Sequence, residues 1–259
     1  MHPFNVVIFG EAGVGKSSVV NLIAGQKVAE TSADSRGRTL ESKQYTFQVA
    51  RKTYNVWTTT GLGEPVFSVK GYLGAIEKAY LVIQQITAEG GLDLLLFCMP
   101  GSGSQISQTM LCNYRLFFEV LCEKRIPIAL VVTHLEGETR MDDWWIRNMH
   151  YLNHCGLKFT GHACVTGLPG HEKEKEGRGA LEHLLLGYDH EGRYTMPTVS
   201  EWNLGFLTRL AASLIPRQKG VKDKRKQLER ILRDRCMMHA AVARRLAESL
   251  TRPAPVHAE

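Results

Sequence analysis

The chain has 259 residues, 44% of them apolar, and a formal charge of +6. That length holds one large α/β domain or a domain with an appendage, and the apolar share is enough for a sizeable core. It argues against a helix across a bilayer, which needs about 20 apolar residues where runs such as 126–132 offer fewer, and against a disulfide scaffold. None of the six cysteines (Cys98, Cys112, Cys122, Cys155, Cys164, Cys236) forms a C-x-x-C pair, as expected of reduced thiols in a cytoplasmic protein. The charge is unevenly placed. Residues 217–252 hold twelve Lys/Arg against four Asp/Glu, a net of +8; with −1 from 253–259, residues 1–216 carry −1. The basic character therefore belongs to the tail.

Met1-His2-Pro3-Phe4 enters an apolar run, Phe4 to Phe9, almost at once, so no signal or transit peptide is expected ahead of it. That run reads as a strand. Gly10-Glu11-Ala12-Gly13-Val14-Gly15-Lys16-Ser17 follows, and an amphipathic run begins at Ser18. Strand, glycine-rich turn and helix form the context of a phosphate-binding loop. The glycines permit a backbone path that a Cβ would resist. The N–H groups from Gly13 to Ser18 then aim at one centre, where the helix N-terminus adds partial positive charge. Lys16 is predicted to reach the β- and γ-phosphates, and the Ser17 hydroxyl to bind Mg²⁺.

Residues 27–42 break the periodicity and read as a polar loop. Residues 43–50 and 53–60 read as strands joined by a tight turn at Arg51-Lys52, too short for a crossover and so an antiparallel edge hairpin. Residues 72–88 have helical spacing. The continuous apolar runs at 92–99 and 126–133 read as strands buried on both faces. Residues 105–124, 141–155 and 201–215 read as helices, 158–166 as a strand and 167–179 as a loop. Residues 180–198 give one short helix at most, and Pro216 stops the last helix before the tail. Strands alternating with helices predict a mostly parallel six-stranded sheet in three layers, with the ligand at the carboxyl ends of the strands. The expected division is a nucleotide-binding domain over 1–215 and a basic helix with a short tail over 216–259.

The order of these features resembles a GTPase G domain of the translation-factor-related class, with a Ras-like fold. Within it, Gly10 to Ser18, Asn113-Tyr114-Arg115-Leu116-Phe117, Val131 to Glu136 and Asp142-Asp143-Trp144-Trp145 are similar to the septin-like branch that holds immunity-associated and chloroplast-import GTPases, and to a family of fungal G-domain proteins. The resemblance covers about residues 4–215. It implies guanine nucleotide and Mg²⁺ as ligands, and dimers formed through the G domain. It also implies that Thr39, in the loop Ser35 to Thr39, joins Ser17 on Mg²⁺ and meets the γ-phosphate; Thr31 competes for that role. A D-x-x-G motif is expected at the end of the third strand, but the chain reads Thr58-Thr59-Thr60-Gly61. Thr58 supplies a hydroxyl and no charge, which weakens Mg²⁺ binding. Gly61 still offers an N–H to a γ-phosphate. Leu62 cannot orient water, so hydrolysis is slow or borrows a group such as Glu64 or one from a second subunit.

The base-reading motif N/T-K-x-D appears as Thr133-His134-Leu135-Glu136. The Glu136 carboxylate suits the two donors of guanine, N1–H and the 2-amino group. His134 can stack on the base. A last base contact is expected from backbone near Cys164-Val165. His150 and His154 share the i,i+4 spacing of metal ligands, but without a third ligand they read as surface histidines; Trp144 and Trp145 read as core and interface rim. In the tail, apolar Leu228, Ile231, Leu232, Val242, Leu246 and Leu250 lie roughly on one face. It reads as a helix docked on the domain, or as a surface for an anionic membrane or a partner helix. No recognised module supports nucleic acid. The chain is thus expected to be a GTP-regulated switch or assembly module, cytoplasmic and peripheral to a membrane if the tail binds one. Its rivals are a pseudo-GTPase that holds nucleotide without turnover and an ATP-using P-loop enzyme, against which Glu136 argues.

Overall fold

The computed structural model describes residues 2–30, 42–59, 79, 82–102, 106–122 and 124–188, and helical positions 226, 229, 230, 233, 240, 241 and 244. Two compact units divide the chain: Met1–Pro65 with Ala75–Met196, and Val66–Gly74 with Pro197–Glu259.

The first unit is built on a six-stranded sheet. β1 (Phe4–Phe9), β4 (Leu94–Pro100) and β5 (Ile128–Thr133) are predominantly apolar and lie at its centre, buried on both faces. β2 (Ser42–Val49) and β3 (Lys52–Thr59) form the expected hairpin, turned by Ala50 and Arg51 at φ +45° and +69°. β6 (Gly161–Cys164) closes the other edge. The order is β2-β3-β1-β4-β5-β6, parallel throughout except for the β2–β3 pair. The chain leaves β1 for β3 on one side and reaches β4 on the other. The carboxyl end of β1 is therefore the switch point where such sheets take their ligands, and Gly10 to Ser17 begins there.

Alternation along the strands sorts side chains into two layers. Val6, Ile8, Leu94, Leu96, Cys98, Ala129 and Val131 face α1 (Lys16–Ala24) and the helix Glu174–Gly187. On the opposite face Phe9 stacks on Phe117 with ring centroids 4.5 Å apart, and Phe97 meets Tyr114 at 6.1 Å. The three-layer α/β arrangement expected from the sequence is the one the chain forms.

Two elements differ from the sequence reading. The helix expected over 105–124 is α-helical only as α2 (Gln108–Tyr114). It then widens to a π-helix over Arg115–Leu121, ended by an i→i−5 bond from the Cys122 N–H to the Phe117 carbonyl at 3.1 Å. Helix α3 (Asp143–His154) follows, within the span expected. The loop expected over 167–179 gives way at Glu174 to α4 (Glu174–Gly187), which carries two glycines in its first turns. Packing accounts for Gly177, whereas Gly179 is exposed with open space where a Cβ would be. Gly177 is buried against the sheet, and a Cβ there would lie 3.2 Å from the Val165 Cβ and 3.5 Å from Leu22. Close helix–sheet packing thus uses the glycine that lowers local propensity.

Candidate phosphate and base site

Three loops at the carboxyl ends of β1, β5 and β6 build the site. The first runs from Gly10 to Lys16. Gly10, Gly13 and Gly15 have φ of +151°, +77° and +86°, values that side-chain-bearing residues rarely adopt. A Cβ on Gly10 would also collide with the Cys98 carbonyl oxygen. Gly15 is the left-handed cap of α1, so the helix starts with Lys16 and its first N–H groups face the loop. Val14 is buried and anchors the loop's middle; Ala12 and Gly13 are exposed and Ser17 and Ser18 half-buried.

The Lys16 ammonium curls back over this loop, donating to the Gly10 carbonyl at 3.0 Å and the Glu11 carbonyl at 2.6 Å. Burial lowers its pKa from 10.5 to about 8, opposed by the nearby Cys98 thiol and Glu11 carboxylate. The folded protein therefore binds fewer protons here than the unfolded chain between about pH 8 and 10.5. The cost of burying the charge is present in full below that window and fades as pH rises through it. Cys98 is itself wholly buried, its thiol pushed up to about 12 by desolvation.

The second loop is Thr133 to Glu136. The Thr133 side chain is buried, and its hydroxyl lies 2.8 Å from the Val14 carbonyl, 3.3 Å from that of Met99 and 3.0 Å from His134 Nδ1. Carbonyls only accept, so the one hydroxyl proton goes to Val14, the nearer. The contact with His134 is then attractive when Nδ1 carries a hydrogen and donates to Oγ1. Thr133 thus ties the β5 loop to the phosphate loop and orients the exposed His134, whose φ is +58°. Leu135 is buried. Glu136 follows, half-buried, and its Oε2 atom is shielded from solvent with no hydrogen-bond partner among the described residues. A carboxylate oxygen in that position is costly unless a donor meets it. The third loop follows β6, where the Val165 N–H donates to the Val132 carbonyl at 2.8 Å. Gly167 lies against Ser18: a Cβ on it would come within 2.9 Å of the Ser18 Cβ. Cys164 is buried, its thiol raised to about 12 by burial.

The fold therefore brings Gly10 to Ser18, Thr133 to Glu136 and Cys164-Val165 to one end of the sheet. Thr58 is the penultimate residue of β3, beside this region and paired in register with Ile8; it is buried, its hydroxyl a long 3.5 Å from the Lys43 carbonyl. Thr31, Thr39, Gly61, Leu62 and Glu64 lie outside the described residues. His150 and His154 are exposed on α3, and the described residues hold no metal-binding group of three or more His, Cys, Asp or Glu. Trp144 is buried and Trp145 stacks on His162 at 4.4 Å. Sequence reasoning missed the loop after β4: Gly101 donates to the Thr133 carbonyl at 2.7 Å and accepts from the Trp144 indole at 2.9 Å, bracing the β5 loop. Only the place of Gly101, just past a buried strand, signals this.

The residues present fit a guanine nucleotide: a cradle of N–H groups shaped by glycines at positive φ, a lysine above it, and a carboxylate oxygen, unpaired among the described residues, that suits the two donors of guanine. The family model for 50S ribosome-binding GTPases matches residues 5–134, half of the chain. Among solved structures, a dimerisation-deficient mutant of Toc33 from Arabidopsis thaliana aligns with a TM-score of 0.56 at 18% identity, over 76% of this chain and 88% of that one. Era from Aquifex aeolicus bound to GDP and AlF4⁻ gives 0.55 at 17%, over 96% and 90%. Era in complex with MgGDPNP and a segment of 16S ribosomal RNA gives 0.53 at 18%, over 98% and 91%. At these identities the likeness is one of fold, that of the Ras-like P-loop GTPases. No curated protein sequence matches the chain. Among the described residues no helix is long and apolar enough to cross a membrane.

Proposed function

The chain belongs to the family of 50S ribosome-binding GTPases, and from that premise we propose that it is a guanine-nucleotide switch or assembly module with slow, partner-dependent hydrolysis. The observation that carries this reading is the solvent-shielded Glu136 Oε2, unpaired among the described residues, on a loop that Thr133 fastens to the phosphate loop. Glu136 takes the guanine N1–H and 2-amino group, His134 stacks on the base, and backbone at Cys164-Val165 completes the base contacts. The N–H groups from Gly13 to Ser18 and the Lys16 ammonium hold the phosphates. Ser17 and Thr39 would hold Mg²⁺, which would offset the negative charge of the phosphates. Gly61 offers its N–H to the γ-phosphate. The septin-like phrasing of the motifs, and the dimerisation named for Toc33, support G-domain dimers as the hydrolytic form.

Thr58 motivates the second reading. Where an acid is usual, a buried hydroxyl stands near a carbonyl; it carries no charge to orient a metal-bound water. A pseudo-GTPase would bind GTP and leave it intact. Single-turnover assays with protein in excess over GTP separate the two. Phosphate release that accelerates with protein concentration supports the dimer-dependent GTPase, and GTP recovered whole at every concentration supports the pseudo-GTPase.

A pH dependence follows from Lys16. Phosphates require the ammonium, whose pKa stands at about 8. Binding above that pH takes up a proton, so affinity is expected to fall by up to about tenfold per pH unit. Calorimetric titration with GDP in two buffers of different ionisation enthalpy measures the uptake; no uptake at pH 9 would contradict it.

The basic segment after Pro216 is expected to be separable from nucleotide binding. Its +8 lies over 217–252, and basic residues near an anionic bilayer contribute about 1 kcal/mol each, screened by salt. Truncation after Ile215 should keep GDP affinity and lose salt-sensitive binding to phosphatidylserine vesicles. Full-length protein that ignores such vesicles at low salt contradicts the membrane reading. We expect no nucleic-acid partner, although the Era neighbour binds RNA; the same truncation compared on single-stranded RNA tests that.

A further inference from the structure

Glu11 is the second residue of the phosphate loop, and its side chain reaches away from it. Its Oε1 accepts a hydrogen bond from the Ser107 hydroxyl, 96 residues along the chain. Ser107 stands immediately before α2. Its hydroxyl oxygen also accepts the Met110 N–H at 3.0 Å, and its carbonyl accepts the Leu111 N–H at 3.2 Å. The hydroxyl is therefore oriented, its proton to Glu11 and a lone pair to Met110. A charged acceptor makes the first of these bonds the stronger. On the loop side, the Glu11 carbonyl is where the Lys16 ammonium rests at 2.6 Å.

A loop with Gly10, Gly13 and Gly15 at positive φ has little of its own to stiffen it. Among the described residues, two hydroxyls from elsewhere reach it: Thr133 at the Val14 carbonyl and Ser107 at the Glu11 carboxylate. Thr133 secures the second half of the loop, next to α1. Ser107 secures the first half, whose Gly10 and Glu11 carbonyls receive the Lys16 ammonium. Donors hold an anion well when they are fixed beforehand.

We propose that Ser107 is a positioning residue of the nucleotide site, acting through Glu11 to hold the first half of the phosphate loop so that bound nucleotide leaves slowly. This rests on the reading of that loop as a nucleotide site. Neither Glu11 nor Ser107 needs to touch the ligand, so the effect is one of release rate rather than of base choice.

The test uses the full-length protein and GDP carrying a methylanthraniloyl fluorophore, with dissociation followed after excess unlabelled GDP is added. Ser107→Asp separates the two jobs of the hydroxyl. Asp starts a helix as well as Ser does, but it sets a carboxylate against Glu11. Release is expected to quicken about tenfold with the melting temperature little changed. Ser107→Thr keeps a hydroxyl and should release at the wild-type rate. Combining Ser107→Asp with Glu11→Gln restores the contact in reverse, the amide N–H donating to the new carboxylate, and should recover slow release. Wild-type release from Ser107→Asp overturns the proposal. So does a fast Ser107→Asp that the added Glu11→Gln fails to slow, since the defect is then in the helix and not in the contact. A wild-type protein that binds no labelled GDP brings down the nucleotide-site reading itself, and the positioning role with it.

Discussion

Replacing Lys16 with alanine is expected to abolish guanine-nucleotide binding while leaving the domain folded. The ammonium sits among carbonyls, donating to Gly10 and Glu11, and contributes nothing to the apolar layers on either face of the sheet. Burial pulls its pKa down to about 8, a cost to the charged form that offsets these bonds in the fold. Phosphates lose two charge-assisted hydrogen bonds. At roughly 1.5–3 kcal/mol each, that is about two to four orders of magnitude in affinity. Equilibrium titration of Lys16→Ala with labelled GDP, beside a thermal melt, checks both halves. Full affinity in the variant would contradict the phosphate-loop reading.

Glu136→Ala is expected to erase the preference for guanine over adenine nucleotides. The wild-type carboxylate has Oε2 shielded from water and unpaired among the described residues, so it is poised to receive donors. Guanine supplies two on one edge; adenine offers an acceptor at N1 in their place. Without the carboxylate, both guanine donors go unmet in a partly buried site. The loss is expected at about two to four orders in GTP affinity, with ATP affinity little changed. Phosphate contacts remain, so the variant should retain weak binding without base choice, unlike Lys16→Ala. A variant that still prefers GTP strongly would place base recognition elsewhere.

Much of this was legible because the signals were local. Phe4–Phe9 followed by glycines and Lys16 fixes strand, loop and helix within twenty residues, and Arg51-Lys52 between alternating runs fixes the β2–β3 hairpin. What escaped was set by contacts far apart in sequence. Gly177 and Gly179 lower helix propensity, so the stretch reads as loop; burial of Leu181, Leu184 and Leu185, with Val165 and Leu22 close against Gly177, makes a helix the better solution. Residues 105–124 have helical spacing, and the widening to a π-helix after Tyr114 changes that period too little to register in the pattern. At the site, Thr133 reads as one letter of a base-contact motif, whereas its hydroxyl is committed to the Val14 carbonyl and its neighbour His134. Nothing in the sequence pairs Glu11 with Ser107, because the pairing depends on α2 following β4, beside β1 in the sheet.

The measurement closest to the central claim is a competition of GTP, GDP and ATP against labelled GDP on the full-length protein at pH 7.5 with Mg²⁺. GTP and GDP are expected to displace the label at concentrations at least about a hundredfold below ATP, the discrimination that two hydrogen bonds to a carboxylate support. Equal displacement by ATP and GTP would contradict Glu136 as the reader of the base and, with it, the account of this chain as a guanine-nucleotide protein.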